Sequence, residues 1–314
     1  MERAQIGPGL YACLQDGAKF GESNSGYIDH GGGLVVDTFY DLPRTRAMMA
    51  SFAEVAPSAT APRRLVNTHH NGDHCWGNQV LAEVGTEIIG HELCAQYFLT
   101  EASPELFVSL QDAKSLPPHL AGFASSLRGF DFRDITLTPP TTLLHDEMVL
   151  DLDGTPVELR YLGPAHTAGD TVVWLPDERV VFTGDLLFNE CTPIGWEGTF
   201  AGWIAALDAM ISWEPEVVVP GHGPVCGTEA LVGMRDYLAY VQLEATAHHA
   251  AGRSVVDAAA RIDLGPFARW AEPERLASQL HRAYRELDGL PWDTKVDTKA
   301  VFADMAAIHQ ARNR

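Results

Sequence analysis

The sequence predicts a domain of mixed α and β structure carrying a helical extension at its C-terminal end, and three observations support this. Short β-rich runs alternate with helices through roughly the first 140 residues, a second block of strand patterns follows, and from Thr228 onward the apolar spacing becomes helical. With 314 residues, 46% of them hydrophobic, the chain can bury a large core, as one big domain or as a domain with an accessory element.

In chain order, "GLYACLQ", "SGYIDHGGGLVVDTFYD" and "PRRLVNTHH" read as strands punctuated by Gly, Asn, Asp and Pro. Between the second and third, "DLPRTRAMMASFAEVAP" places Met48, Met49, Phe52 and Val55 near helical spacing, with Pro57 beyond the end. "GNQVLAEVG" predicts a short helix, "EIIGH" a strand, and "ELCAQYFLTEASPELFVSLQDAKS" one or two helices; a less regular region runs on to about Pro140. "EMVLDLDGTPVELRYLG", "DTVVWLPDERVVFTGDLLF" and "PEVVVPGHG" restore strand patterns, two of them broken by Asp-Gly or Pro-Asp turns. The helix "FAGWIAALDAMISW" is inserted among them. In the tail, Leu231, Met234, Leu238 and Val241, then Leu276, Leu280, Ala283, Tyr284 and Leu287, follow helical spacing.

Chemistry concentrates where strands end. "NTHHNGDHCWGN" (67–78) puts His69, Asp73 and His74 directly after the apolar run "RLV". Imidazole and carboxylate are the donors that zinc and similar divalent ions prefer. Taken alone, the cluster also reads as a polar loop capping the next helix. Three further stretches share its layout, an apolar strand entering a Gly-rich turn with one ligand-type residue: "YLGPAHTAGD" with His166, "VVFTGDLLF" with Asp185 and "VVVPGHG" with His222. Each glycine lets the backbone turn sharply and come close to a site.

On these motifs the chain resembles the metallo-β-lactamase superfamily, whose HxHxDH motif is followed by single His, Asp and His ligands in this order; the match spans about residues 6 to 226. The resemblance implies an αββα sandwich, two mixed β-sheets flanked by helices, with the metal site at one edge. It implies a domain over 1–228 with a helical insert at about 92–130, and a helical extension over 229–314 packed on it. His69 and His166 would serve a first metal position, Asp73, His74 and His222 a second, and Asp185 would bridge them. The implied cofactor is zinc, one or two ions, with iron or manganese as alternatives.

The sequence departs from the family at Asn71, which stands where the motif has its middle histidine. An amide oxygen is a weak, hard donor beside imidazole, so the first position should hold zinc loosely. Three outcomes stay open: two ions with a loose first one, a single ion on Asp73, His74, His222 and Asp185, or recruitment of His70. A divalent cation lowers the pKa of water from about 15.7 towards 7, so hydroxide is available to attack a carbonyl carbon. Asp73 is then both ligand and hydrogen-bond acceptor for the nucleophile, and Asn71 either a weak ligand or a donor to the developing oxyanion. Thr167 and Asp170 are expected to hold the ligand loop.

Other conspicuous residues take plainer readings. His91 is expected at a helix N-terminus near the site, and Cys75 as a small buried thiol. Phe188, Trp196, Phe200 and Trp203 suit either a pocket wall or the core. His30, His119, His145, His248, His249, His281 and His309 lack companions at useful spacing.

Composition narrows the partners. A formal charge of −20 without a basic stripe repels phosphate backbones and anionic headgroups, so neither nucleic acid nor a membrane is expected. No apolar run approaches the roughly 18 residues of a membrane span, and no signal peptide is evident, which predicts a cytoplasmic protein. Five scattered cysteines without CxxC argue against a disulfide framework. The Asn-containing motif together with "ARWAEPERLASQLHRAYRELDG" is similar to a bacterial branch that includes cyclase/thioesterase-like enzymes of aromatic polyketide pathways. That resemblance implies hydrolysis of a thioester or related acyl ester whose bulky apolar acyl group lodges between the aromatic loops and the helical insert. The partner such an enzyme implies is an acyl carrier protein or coenzyme A, and the acidic surface counts against an equally acidic carrier. A lactonase or β-lactamase-like hydrolase, and a catalytically weakened binding or regulatory protein on the same scaffold, are the alternatives; a homodimer is compatible with each.

Overall fold

Strand-forming residues gather into two sheets in the computed structural model, which describes residues 1–15, 19–100 and 103–312 and, of residues 118 and 119, the backbone only. The side chain of His119 therefore lies outside the described residues. The first sheet has seven strands in chain order: β1 (Glu2–Gly7), β2 (Leu10–Leu14), β3 (Ser25–Ile28), β4 (Leu34–Val36), β5 (Arg64–Val66), β6 (Glu87–His91) and β7 (Thr142–Leu144). Its first four strands pair antiparallel and β4 to β7 pair parallel. The second sheet contains β8 (Glu147–Leu152), β9 (Thr155–Tyr161), β10 (Thr171–Leu175), β11 (Val180–Phe182) and β12 (Val217–Val219), antiparallel except for the parallel pair β11 and β12.

Helices α1 (Leu42–Ala53), α2 (Gly72–Cys75), α3 (Asn78–Ala82), α4 (Glu92–Tyr97), α5 (Pro104–Asp112) and α6 (Pro118–Ser126) belong to the first half of the chain. The second half adds α7 (Phe200–Ser212), α8 (Thr228–Ala250), α9 (Val255–Ala259), α10 (Leu276–Leu287) and α11 (Thr298–Arg312). α1 starts where the sequence says it should: Asp41 caps it by accepting from Arg44 N, and Pro43 sits in the first turn.

The near-continuous apolar runs of the central strands make sense because both of their faces are covered. Leu34, Val36, Val66 and Ile89 face the other sheet and meet Val173, Leu175, Val180 and Phe182. Their neighbours Val35, Leu65 and Ile88 point outward onto α1 through Met48, Met49 and Phe52. On the far side Val172, Trp174, Val181 and Val218 pack against Trp203 and Leu207 of α7 and Leu231, Met234 and Leu238 of α8. Four layers result, helix, sheet, sheet, helix: the αββα sandwich, with a helical C-terminal part.

Three elements escape the sequence pattern. β1 is partly exposed along its whole length and β7 is three residues long, so neither shows clear alternation. α6 falls in the stretch read as irregular, where Pro117, Pro118 and Gly122 mask it; it packs against α11, with Phe123 and Phe302 ring centroids 4.2 Å apart. Among the described residues no helix is long and apolar enough to cross a membrane.

Candidate metal centre

Each predicted donor leaves the C-terminal end of a strand. β5 leads into the loop bearing His69, Asn71, Asp73 and His74; His166 lies in the turn between β9 and β10; Asp185 follows β11 and His222 follows β12. The parallel pairing of β4 with β5, and of β11 with β12, sends neighbouring strand ends out on the same side. His69, His166 and Asp185 form one group and Asp73, His74 and His222 another, the donor atoms within each lying within 4.8 Å of one another.

Asp185 joins the groups. Its Oδ2 lies 3.3 Å from His166 Nε2, 3.8 Å from His69 Nε2 and 3.4 Å from His222 Nε2, while its Oδ1 lies 3.0 Å from His74 Nε2. Asp73 Oδ2 is 3.4 Å from His222 Nε2. Asn71 Oδ1 is 2.8 Å from His166 Nε2, so the amide shares the first group's space. His70 turns elsewhere: its Nε2 is 3.9 Å from the Glu197 carboxylate, and its ring lies beside Tyr97.

All four histidines are fixed through Nδ1, which aims Nε2 inward. His166 donates to Ile194 O at 2.8 Å and His222 to Glu22 O at 3.0 Å, acceptors that can only receive a hydrogen. His74 donates to Asp37 Oδ2 at 3.0 Å. Thr68 Oγ1 gives its hydrogen to the same carboxylate at 2.7 Å, which leaves its oxygen to accept from His69 Nδ1 at 3.0 Å. Partners of this kind fix the tautomer of a metal-binding imidazole. Asp37 is buried at the end of β4 with a left-handed φ of 60°, a conformation Asp tolerates better than most residues, and its Oδ1 also accepts from Thr68 N at 2.7 Å.

The inward atoms demand positive charge between them. With Nδ1 protonated throughout, neutral rings would set His74 Nε2 against His222 Nε2 at 3.5 Å, and His166 Nε2 against the Asn71 oxygen, acceptor facing acceptor. Buried His69 Nε2 and Asp185 Oδ1 have no hydrogen-bond partner among the described residues; the 3.0 Å approach of Asp185 Oδ1 to His74 is ionic, without hydrogen-bond geometry. Burial resists protonation of His74 and His222, yet the carboxylates of Asp185 and Asp73 win, raising His74 well above the usual range and His222 to about 9. Burial dominates at the other pair, lowering His166 to about 4 and His69 well below the ordinary value. Burial alone would raise Asp185, but His222, His74 and His166 hold it well below the carboxylate range. Four imidazoles with Nε2 aimed inward, two ionised carboxylates and orphaned inward atoms are a donor set that fits divalent cations, whose binding displaces the extra protons of His74 and His222.

The remaining predicted residues have structural places. Asp170 accepts from Ala165 N, Thr167 N and Thr167 Oγ1, tying down the turn that bears His166. His91 caps α4 by accepting from Leu93 N, gives its other nitrogen's hydrogen to His145 O, and stacks on Tyr161. Cys75 is buried and donates to the carbonyls of His70 and Asn71. Phe188, Phe200 and Trp203 are wholly buried and so belong to the core: Phe188 stacks on His222 and Trp203 lies edge-on to His166. Of the four aromatics only Trp196 reaches the surface.

Sequence reasoning missed Asp37, Glu197 and the segment 22–24. Asp37 had the same signal as Asp185, an apolar run ending in Asp, in "GLVVD". Glu197 lies beside His70 with its carboxyl raised to about 7 by burial. Ser23 Oγ donates to Asp73 O, and Asn24 Nδ2 to Pro220 O and Gly223 O, bracing two donor loops at once.

Known proteins resemble this chain to different extents. A metallo-beta-lactamase type 2 from Bacteroides fragilis is 38% identical over 91 residues, 27% of this chain and 36% of its own length. A linear primary-alkylsulfatase from Pseudomonas sp. is 24% identical over 243 residues, 66% of this chain and 43% of that protein. The chain thus spans less than half the length of these two relatives. Among solved structures, the sec-alkylsulfatase Pisa1 from Pseudomonas sp. superposes with a TM-score of 0.68 at 16% identity, covering 93% of this chain and 51% of that one, a likeness of fold. Residues 18–222, well over half the chain, match the sequence pattern of one family from the first donor-bracing segment to the last histidine, and the chain belongs to the metallo-beta-lactamase superfamily.

Proposed function

We propose that the chain is a zinc-dependent hydrolase of an acyl ester, in the first instance a thioester with a bulky apolar acyl group. The observation that carries this reading is the set of inward-facing imidazole nitrogens and carboxylates around Asp185, a geometry that bound cations would satisfy. His69, His166, Asp185 and, weakly, Asn71 would hold one ion; Asp73, His74 and His222 would hold the other, with Asp185 shared. Ions in these places supply Lewis acidity and a nucleophile ionised near neutral pH. Asp73 keeps 14% of its side chain exposed, against 4% or less for the grouped histidines and Asp185, so it is the donor that meets solvent and substrate. There it accepts a hydrogen bond from the nucleophile and fixes its line of approach. The Asn71 amide NH2 would serve as a donor to the developing oxyanion.

Aromatic residues lie close in sequence to the carbonyls that fix two of the donors. Phe20 precedes Glu22, whose carbonyl holds His222, and Trp196 follows Ile194, whose carbonyl holds His166. With Phe123 of α6 and Phe302 of α11 they form a cluster of partly exposed rings, centroids 4.2 to 6.3 Å apart along its contacts. Such a surface suits an alkyl or aromatic acyl group. The alkylsulfatase likeness favours a second reading, hydrolysis of an alkyl sulfate. Arg275 and Arg285 donate to backbone carbonyls, and Arg282 is wholly enclosed against the Phe200 and Trp203 rings, so these guanidinium groups are not open to an anion and the uncharged ester comes first.

Metal analysis combined with a panel of p-nitrophenyl esters, acyl thioesters, lactones, β-lactams and alkyl sulfates tests the proposal. Thioester turnover that chelation abolishes and zinc restores is the expected result, and Asn71→His should bring metal content towards two ions per chain. Turnover of alkyl sulfates alone would establish the second reading. Metallated protein inert to the whole panel, yet still binding an aromatic ligand, would make the chain a binding protein on this scaffold.

A further inference from the structure

Helix α10 buries what an amphipathic helix normally exposes. Arg275, which precedes the helix at its N-cap, and Gln279 and Arg282 within it are 2% exposed or less and Arg285 6%, whereas Leu287, on the expected apolar stripe, is 41% exposed; Arg282 has no hydrogen-bond partner among the described residues. Buried guanidinium groups are costly unless they are hydrogen-bonded. Here they meet the loop after Cys191: Arg275 Nη1 donates to Thr192 O at 3.3 Å, Gln279 Nε2 to Pro193 O at 3.2 Å, and Arg285 to Trp196 O at 3.1 Å and Gly198 O at 2.8 Å. Glu286 completes the row by accepting from Phe200 N at 2.9 Å. Arg282 is wedged between the Phe200 and Trp203 rings, 5.0 Å from each, and a Cβ on Gly195 would come within 2.7 Å of its Nη1, so the loop lies directly on the helix.

In the middle of that loop stands Ile194, whose carbonyl receives the His166 Nδ1 hydrogen. On either side of Ile194 the backbone is pinned, at residue 192 by Arg275 just before α10, and at 193, 196 and 198 by α10 itself. We propose that Gln279 and Arg285 of α10 are positioning residues for the His69, His166 and Asp185 group: by fixing the loop they fix the Ile194 carbonyl, hence the tautomer and aim of His166. His74 and His222 of the other group are fixed by Asp37 and Glu22 rather than by the loop that α10 holds. The inference rests on the metal reading above, and the experiment separates the two.

The full chain is titrated with cobalt(II) and followed by visible absorption in wild type, Arg285→Lys, Gln279→Leu and His281→Ala. In parallel, hydrogen exchange at His166 Nδ1 is followed by NMR of protein with labelled histidines. Arg285→Lys keeps the charge but cannot span two carbonyls with a planar fork. His281, paired with Asp304 on the side of α10 facing α11, serves as the control for general loosening of the helix. In Arg285→Lys and Gln279→Leu the weaker cobalt step should lose about tenfold in affinity, the size of change seen when a ligand's supporting partner is removed. The tighter step should move much less, and the His166 Nδ1 hydrogen should exchange faster; His281→Ala should leave all three as in wild type. Equal weakening of both steps, or His166 exchange unchanged in both loop-facing variants, overturns the positioning role. Wild type that takes up no cobalt refutes the metal reading instead, and the exchange measurement still decides the inference.

Discussion

Asp37→Asn is the substitution on which the geometry of the site makes the sharpest demand. The carboxylate receives three hydrogens: Thr68 N on Oδ1 at 2.7 Å, and Thr68 Oγ1 and His74 Nδ1 on Oδ2 at 2.7 and 3.0 Å. An asparagine keeps its oxygen on Thr68 N, but its NH2 then replaces Oδ2 and confronts two donors. Thr68 can rotate and accept. His74 can relieve the clash only by moving its hydrogen to Nε2, the atom that has to face the ion. One charge-assisted hydrogen bond, worth about 1.5–3 kcal/mol, is lost. Loss of a partner of this kind costs about 10–100-fold in metal affinity, or about 1.4–2.7 kcal/mol. Competition with a chromophoric chelator measures the affinity, and ring nitrogen NMR reports the His74 tautomer. If Asp37→Asn binds zinc as tightly as wild type and His74 still carries its hydrogen on Nδ1, the account of how the site is oriented fails.

Three further outcomes follow from the same geometry. A methyl group at Gly221 would lie 2.0 Å from Asp185 Oδ1, so Gly221→Ala must push the shared carboxylate aside by about 1 Å, given that real Cβ contacts begin near 3.0 Å; turnover should fall on the order of 100-fold, read as kcat. Because His74 is raised well above the usual range and His222 to about 9, both hold protons at neutral pH in the ion-free chain, and uptake of an ion displaces them. Affinity should therefore climb as pH rises towards about 9, and calorimetry in buffers of different ionisation heat should show proton release, whereas an affinity flat with pH would contradict the assignment. Phe302→Ala removes a ring packed on Phe123, and should raise KM for bulky acyl substrates about threefold to tenfold with little change in kcat, the equivalent of one aromatic contact.

The sequence made the donors visible because each obeys one local rule, an apolar strand running into a Gly-rich turn with a single ligand-type residue. His166, Asp185 and His222 could be picked out in this way despite wide separation along the chain. What orients them was hidden for two physical reasons. Backbone carbonyls such as those of Glu22 and Ile194 have no residue-type signature. Asp37 had the strand-end signature, but its role depends on the parallel register that lays β4 beside β5. Periodicity says least about α10, where Leu276, Leu280 and Ala283 lie inside as their spacing predicts but Leu287 is 41% exposed and Arg282 and Arg285 are buried; the loop carbonyls that receive Arg285 have no signature in the sequence. The aromatic residues after Asp185 divided as burial dictated, three into the core and Trp196 to the surface.

The brace formed by Glu22, Ser23 and Asn24 ties the order of folding to ion capture. Contacts between residue 22 and residue 222 close a loop of 200 residues, the slowest kind of encounter for a chain to make. Until they form, neither the Asp73 loop nor the His222 loop has its final shape, so metal arrives at a finished mould and cannot nucleate the collapse, in contrast to small domains that fold around zinc. Added ions should slow the unfolding of this protein while leaving its rate of refolding untouched.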